Sequence, residues 1–342
     1  YLADWNSMKD ARFLTSLLQK GMRVRYAENA FELNGIKYEK GTLIITKGDN
    51  KAYTEFPGDL IQLANEQQVQ LTPTPTGMVD KGNDFGSSSV KLIQAPKVAL
   101  LMGEEASSLN VGEVWYFFEN QLNYPISMIQ SGDFSKEVLA KYSVLIVPEG
   151  YYSLLSDSAA AGTLKEWISN GGKVIAMGEA LGQFTTENGF GLKVKSTEEE
   201  SEDEDKAKND PEKHEHPHIA YNAQEREYIK QTITGAIFNC KVETTNPLAF
   251  GYGDNYYSLK LSATAYEYLE NGANVIYMEE KPQLIAGFAG SEAIKAQPKS
   301  LVVGQENMGA GCLIYMVDNP LFRGFWENGK LLFVNALFLA NN

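Results

Sequence analysis

Residues 171–180, GGKVIAMGEA, have the makings of a nucleophile elbow. Such an elbow presents its reactive side chain at the carboxyl edge of a parallel sheet, on a sharp strand-to-helix turn crowded by small residues. Here two glycines, the buried-strand run Val174-Ile175-Ala176 and a small-residue turn into an expected helix supply that setting. Gly178 stands at the position of the nucleophile and has no side chain with which to attack. The sequence offers no replacement pair. Its three histidines, His214, His216 and His218, all lie in one charged stretch, and Cys240 and Cys312 sit in the apolar runs AIFNCKV and CLIYMV, which read as strands. A serine, cysteine or threonine nucleophile needs an adjacent base to activate it, so the sequence argues against a hydrolytic triad.

The carboxylates are the next groups to consider. In an open α/β sheet, ligands bind beyond the carboxyl ends of the strands. Those expected ends carry Gly103, Glu104 and Glu105, then Glu149, Gly150 and Tyr151, then Gly178 and Glu179, with Ser107, Ser108 and Glu113 opening the following helix. The ligand-binding set read from this pattern is Glu104, Ser107, Glu113, Glu149, Tyr151 and Glu179. It suits a cationic, amine-bearing or polyhydroxylated ligand held by charge-assisted hydrogen bonds. The same residue types also serve as turns and caps, and a glutamate in a first helical turn is favoured by the helix dipole alone. A second set, Asn319, Arg323 and Trp326 in NPLFRGFW, reads as an interface. Arginine among aromatics can stack and pair bidentately with a carbohydrate, a carboxylate or a protein surface, although aromatic-rich strings more often pack as core. No metal site is expected, because His214-Glu215-His216-Pro217-His218 has no zinc-ligand spacing and lies in an acidic tract.

These groups need elements to hold them. Residues 1–95 read as a small α/β module. It has a helix capped by Asn6 with apolar positions at Met8, Ala11, Leu14, Leu17 and Leu18, then short strands with a hairpin turn at Asn34-Gly35, and a second helix over 52–67. From Pro96 the pattern becomes strand–helix alternation: KVALLMG, a helix over 111–123, ISMIQ, a helix in SKEVLAKY, SVLIVPEG, a helix in AGTLKEWISNG, and KVIAMG. Such alternation predicts a parallel sheet covered on both faces. YIKQTITGAIF, NPLAFGYG, SLKLSA, VIYM, LIAGFAG, SLVVGQ and CLIYMVDNP read as further strands and hairpins, and residues 329–340 as a closing helix. The fold class is therefore α/β, with the small module followed by a flavodoxin-like domain over 96–342.

An insertion at about 196–218 interrupts that domain. The chain has 342 residues and a formal charge of -14. Residues 198–215 hold ten acidic residues against Lys206, Lys208 and Lys213, so half of the excess lies in one apolar-poor run, which predicts a solvated, disordered loop. An acidic chain without a basic stripe argues against a nucleic-acid partner, and its longest apolar runs are too short for a membrane span. Tyr1 in place of methionine, with no signal-peptide pattern, is expected of a processed or trimmed piece.

The segment 97–180, through VALLMGEE, VLIVPEG and GGKVIAMGEA, resembles a class I glutamine amidotransferase-like domain. Beyond it, RVRYAENAFELNGIKYEKGTLII, NDFGSSSV, TNPLAFGYG and DNPLFRGFWENGKLLFVNALF are similar to the region downstream of the catalytic domain in large bacterial zinc carboxypeptidases of the carboxypeptidase A-like superfamily. That resemblance covers essentially the whole chain. It implies a non-catalytic accessory region, periplasmic or extracellular, that works beside an upstream peptidase domain in cis and takes a peptide, amine or sugar ligand. Zinc is implied only in that upstream domain, since the family's HxxE pair is absent here and this chain needs no cofactor. The alternative is a stand-alone ligand-binding or hydrolytic enzyme that uses the strand-end carboxylates.

Overall fold

A computed structural model describes residues 1–195 and 221–341. The chain enters along β1 (Leu2–Ala3) and turns into α1 (Met8–Gln19). The cap differs from the expected Asn6. Ser7 is the extended residue, its hydroxyl donates to Asp10 Oδ2 at 2.7 Å, and the Asn6 N–H donates to the same oxygen at 3.1 Å. Asp10 thus reaches back over the first turn in the manner of a capping box. β2 (Arg25–Ala27), β5 (Leu43–Ile44) and β6 (Val90–Leu92) complete a four-stranded sheet with β1, ordered β1-β5-β2-β6. The β3 (Phe31–Leu33) and β4 (Ile36–Tyr38) hairpin turns at Asn34 and Gly35, both at positive φ, as its Asn-Gly pair requires. α2 (Phe56–Glu66) packs on α1.

The larger sheet carries the candidate site. β7 (Val98–Met102), β8 (Ile126–Gln130), β9 (Val144–Val147), β10 (Lys173–Met177) and β16 (Gly311–Met316) are parallel and lie side by side in the order β8-β7-β9-β10-β16. In chain order among the parallel strands this is 2-1-3-4-5, the flavodoxin-type arrangement. α3 (Ser108–Tyr116), which runs on into a π turn over Phe117–Leu122, covers one face with the closing helix. The short α4 (Lys136–Leu139) and α5 (Ser158–Ser169) cover the other. Burial on both sides explains why VALLM, VLIV and KVIAM read as unbroken apolar runs rather than as alternating strands.

Between β10 and β16 the chain adds an antiparallel extension. α6 (Tyr221–Lys230) leads into β11 (Ile233–Val242), followed by β12 (Asn255–Lys260), β13 (Ala273–Tyr277), β14 (Gln283–Ala289), α7 (Ser291–Lys295) and β15 (Leu301–Met308). β15 pairs with β16, β13 with β15, and β11 with β13, β12 and β14, all antiparallel. Two strand expectations are corrected here. Residues 228–230 of YIKQTITGAIF end a helix, because Tyr228 and Ile229 are exposed and make no ladder. NPLAFGYG is a 3-10 turn at Pro247–Ala249 followed by a loop, as proline and three flanking small residues favour. The acidic run and its three histidines fall outside the described residues.

α8 (Glu327–Phe338) is buried almost all round and joins both parts of the molecule. Asn335, wholly buried, accepts from Trp5 Nε1 at 2.8 Å and donates to the Leu248 and Phe250 carbonyls at 2.9 and 2.8 Å. The Tyr26 hydroxyl donates to the Leu339 carbonyl at 3.0 Å. Every polar group of the asparagine is used, so this buried network fixes the N-terminal strands against the helix at little desolvation cost. One hydrophobic cluster runs from Phe13, Leu14 and Leu17 of α1 through Phe333 and Leu337 of α8 to Leu100 and Ile146 of the sheet. A smaller cluster of Ala27, Phe31, Leu33, Tyr38, Phe85 and Val90 lies on the outer side of the N-terminal strands.

Candidate functional site: the strand-end crevice

The carboxyl ends of β7, β9, β10 and β16 face one edge of the sheet, as parallel strands must. Gly178 follows β10 at φ +58, the left-handed conformation of an elbow residue, and opens a 3-10 turn (Gly178–Gln183) rather than the α-helix expected from sequence. A Cβ on Gly178 would lie 2.3 Å from Glu149 Cγ and 2.4 Å from its Oε1. The glutamate from the end of β9 therefore fills the space into which a nucleophile would project. Glycine is needed twice over here, for the backbone angle and for the close approach.

Glu149 is held in place through its main chain. Its carbonyl accepts from the Ser107 N–H at 2.8 Å, and Gly150 bridges to Ala106, which joins the loops after β7 and β9. Burial raises its carboxyl to about 7, helped by the negative charges of Glu113, Glu179 and Asp318, while a hydrogen bond from Asn110 opposes the rise. A carboxyl in such surroundings titrates near neutral pH, unlike an ordinary surface glutamate.

Beside it a chain of polar side chains crosses from α3 to the end of β16. The Ser107 hydroxyl donates to Asn110 Oδ1 at 2.6 Å, Asn110 Nδ2 to Glu113 Oε2 at 3.4 Å, and Asn319 Nδ2 to the same oxygen at 2.6 Å. Glu113 Oε1 accepts from the Arg323 N–H at 2.8 Å. Asp318 lies just after β16, against β12. It accepts from the Ser258 hydroxyl at 2.5 Å and from Lys260 Nζ at 3.3 Å, an ion pair almost wholly buried.

The structure brings Ser107, Glu113 and Glu149 together, with Glu179 close enough to act on Glu149 electrostatically. It leaves Glu104 exposed, and Tyr151 projects outward with 72% of its surface in solvent. Asn319 and the Arg323 backbone belong to this crevice through Glu113. The Arg323 guanidinium lies over the Phe322 ring at 5.0 Å, and Trp326 hydrogen-bonds the buried Tyr256. Contacts to the N-terminal part come from Asn335 of α8 and from Leu339 just after it, through Trp5 and Tyr26. Asn110 and Asp318 were missed from sequence. Asn110 sits three residues after Ser107, which was a legible cue. Asp318 follows the fifth parallel strand, whose place in the sheet no local pattern reveals. Among the described residues no group of three or more histidine, cysteine, aspartate or glutamate side chains is arranged to hold a metal, and no helix is long and apolar enough to cross a membrane.

Strand order and the sharp turn after β10 together define a flavodoxin-like α/β domain with glycine at that turn. No family model matches the sequence, and no curated protein does. Among solved structures the chain is similar to an exo-β-1,4-mannosidase from Opitutaceae bacterium strain TAV5 (10% identity, TM-score 0.41, 72% of this chain and 36% of that one). It is similar to a glutamine amidotransferase from Thermotoga maritima (9%, 0.40, 71% and 97%) and to a β-galactosidase from Bacillus circulans (11%, 0.36, 70% and 30%). The chain spans about a third of the two glycosidases. The activities in these names are those of the neighbours alone.

Proposed function

We propose that this chain is a non-catalytic, amidotransferase-like accessory region of a zinc carboxypeptidase-like protein, whose strand-end crevice binds an amine-bearing ligand. The observation that carries the loss of catalysis is Gly178, an elbow residue at φ +58 with the Glu149 carboxyl lying in the nucleophile's space. Amine binding is supported by the carboxylates of Glu113 and Glu179, with the Glu149 carboxyl between them, beside the hydrogen-bonding side chains of Ser107, Asn110 and Asn319. The peptidase context, with its periplasmic or extracellular location and upstream domain in cis, rests on the four sequence strings. Three of them supply Tyr26, Phe250 and Asn335, which meet at α8. The test is to express the natural full-length polypeptide with and without residues 1–342 and to measure zinc content, carboxypeptidase turnover and peptide affinity. The proposal expects zinc and turnover to survive the deletion and peptide affinity to fall. A polypeptide that binds no zinc and cleaves no peptide would end it.

One observation favours a second reading. A glutamate at about 7 is poised as a general acid or base, so Glu149 could protonate a leaving group while Glu179 or Glu113 assists. Turnover of any amide or glycoside that Glu149→Gln abolishes would favour this reading over the first.

A further inference from the structure

The antiparallel extension has one side that carries several exposed apolar side chains. β12, β11 and β14 lie edge to edge, and opposed residues share a face. On the inner face Ala236, Phe238, Cys240, Tyr256, Ser258 and Lys260 are all buried. On the outer face the registers line up Ile237 with Leu259 and Ala286, Asn239 with Tyr257 and Gln283, and Gly235 with Phe288. Leu261 extends the last row, its Cδ2 3.9 Å from where a Gly235 Cβ would be. An antiparallel sheet with one solvated face ordinarily alternates apolar inside with polar outside. Here the outward positions are mostly apolar as well, apart from the hydrogen-bonded pair Asn239 and Gln283.

We infer that this outer face is a homodimer interface, covered by the same face of a second copy of the chain. The area is sufficient. Tyr257, Leu261 and Phe288 are each 42–44% exposed. With the smaller residues between them the face presents on the order of 600 Å² per copy, or ~1,200 Å² in a pair, which reaches the lower bound of stable interfaces. Charge directs a partner to the same place. The chain carries a net -14, so two copies repel over most of their surfaces, yet this face holds no ionised group apart from Lys241 at one end. A flat apolar sheet face is also self-complementary about a two-fold axis, and two such faces pack about 10 Å apart with interleaved side chains. β14 adds an edge that is hydrogen-bonded on one side only and, although its pairing with β11 is bulged, has neither charge nor proline between Gln283 and Ala289.

The experiment is light scattering on the purified chain over a range of micromolar concentrations, beside Leu261→Glu and Phe288→Glu. Both residues are surface-exposed, so neither change opens the core, and circular dichroism melts check folding. The inference expects a concentration-dependent dimer whose dissociation constant rises more than about a hundredfold in either variant, since an unpaired carboxylate would be buried. As a check independent of the variants, hydrogen exchange in wild-type residues 283–289 should speed up on dilution. A monomeric wild type, a dimer indifferent to both substitutions, or exchange independent of concentration would each overturn it. A heterologous partner alone on this face would appear as the first of these results.

Discussion

Glu149→Gln separates the electrostatics of the crevice from its shape. The substitution is nearly isosteric with the protonated acid and removes the group that resists ionisation. The native carboxyl sits at about 7 against 4.5 for an ordinary glutamate. At about 1.4 kcal/mol per pH unit the charged form would carry a penalty of roughly 3 kcal/mol. Glu149 keeps part of its surface in solvent, which screens the three neighbouring carboxylates and reduces the penalty to ~1–2 kcal/mol. Below pH 4.5 both folded and unfolded chains hold the proton and the group contributes nothing. Between about 4.5 and 7 the unfolded chain releases a proton that the folded one keeps, so stability falls as pH rises, and the loss is complete above that window. Glu149→Gln should therefore melt with the wild type at pH 4 and above it at pH 8. The gap should be about 2 °C, given the unfolding entropy of a chain this long. Calorimetry of both proteins at the two pH values measures it. A gap that is the same at both pH values, or a variant less stable at pH 8, would refute the assignment of a buried, proton-holding carboxyl.

Gly178→Ala should cost about 1–3 kcal/mol from positive φ and the clash with Glu149, and in a double-mutant cycle Glu149→Ala should recover the clash part alone; additivity would show that the two do not touch. Asn335→Ala should cost at least about 3 kcal/mol in chemical denaturation, because it leaves the Trp5 indole N–H and two carbonyls unpaired in the core; a loss under 1 kcal/mol would contradict the network. Cys240 and Cys312 are both buried, their thiols raised to about 12 and about 11. A thiol reagent should therefore modify neither until the protein unfolds, and fast labelling of the native state at pH 8 would count against that packing.

Much of the central sheet was legible because burial on both faces leaves unbroken apolar runs, and because Asn34-Gly35 and the small residues around Gly178 specify their turns. The antiparallel extension was legible only as strands. Nothing local in AIFNCKV or LIAGFAG states that β11 takes three partners or that β16 returns beside β10 after more than a hundred residues. That return brings Asp318 and Asn319 to Glu149 and Glu113, so half of the crevice depends on long-range order that periodicity does not carry. YIK read as strand because two exposed apolar residues resemble a strand's edge when their helical neighbours are polar.

The most direct test of the central claim is turnover by the purified chain, with and without added zinc, on glutamine, a glutamine-like electrophile, C-terminal peptides and simple glycosides. The account predicts no turnover above buffer and no covalent adduct, because Gly178 offers nothing to attack with and Glu149 closes its place. Zinc-independent turnover or an adduct, lost in Glu149→Gln, would contradict it and make the crevice an active site.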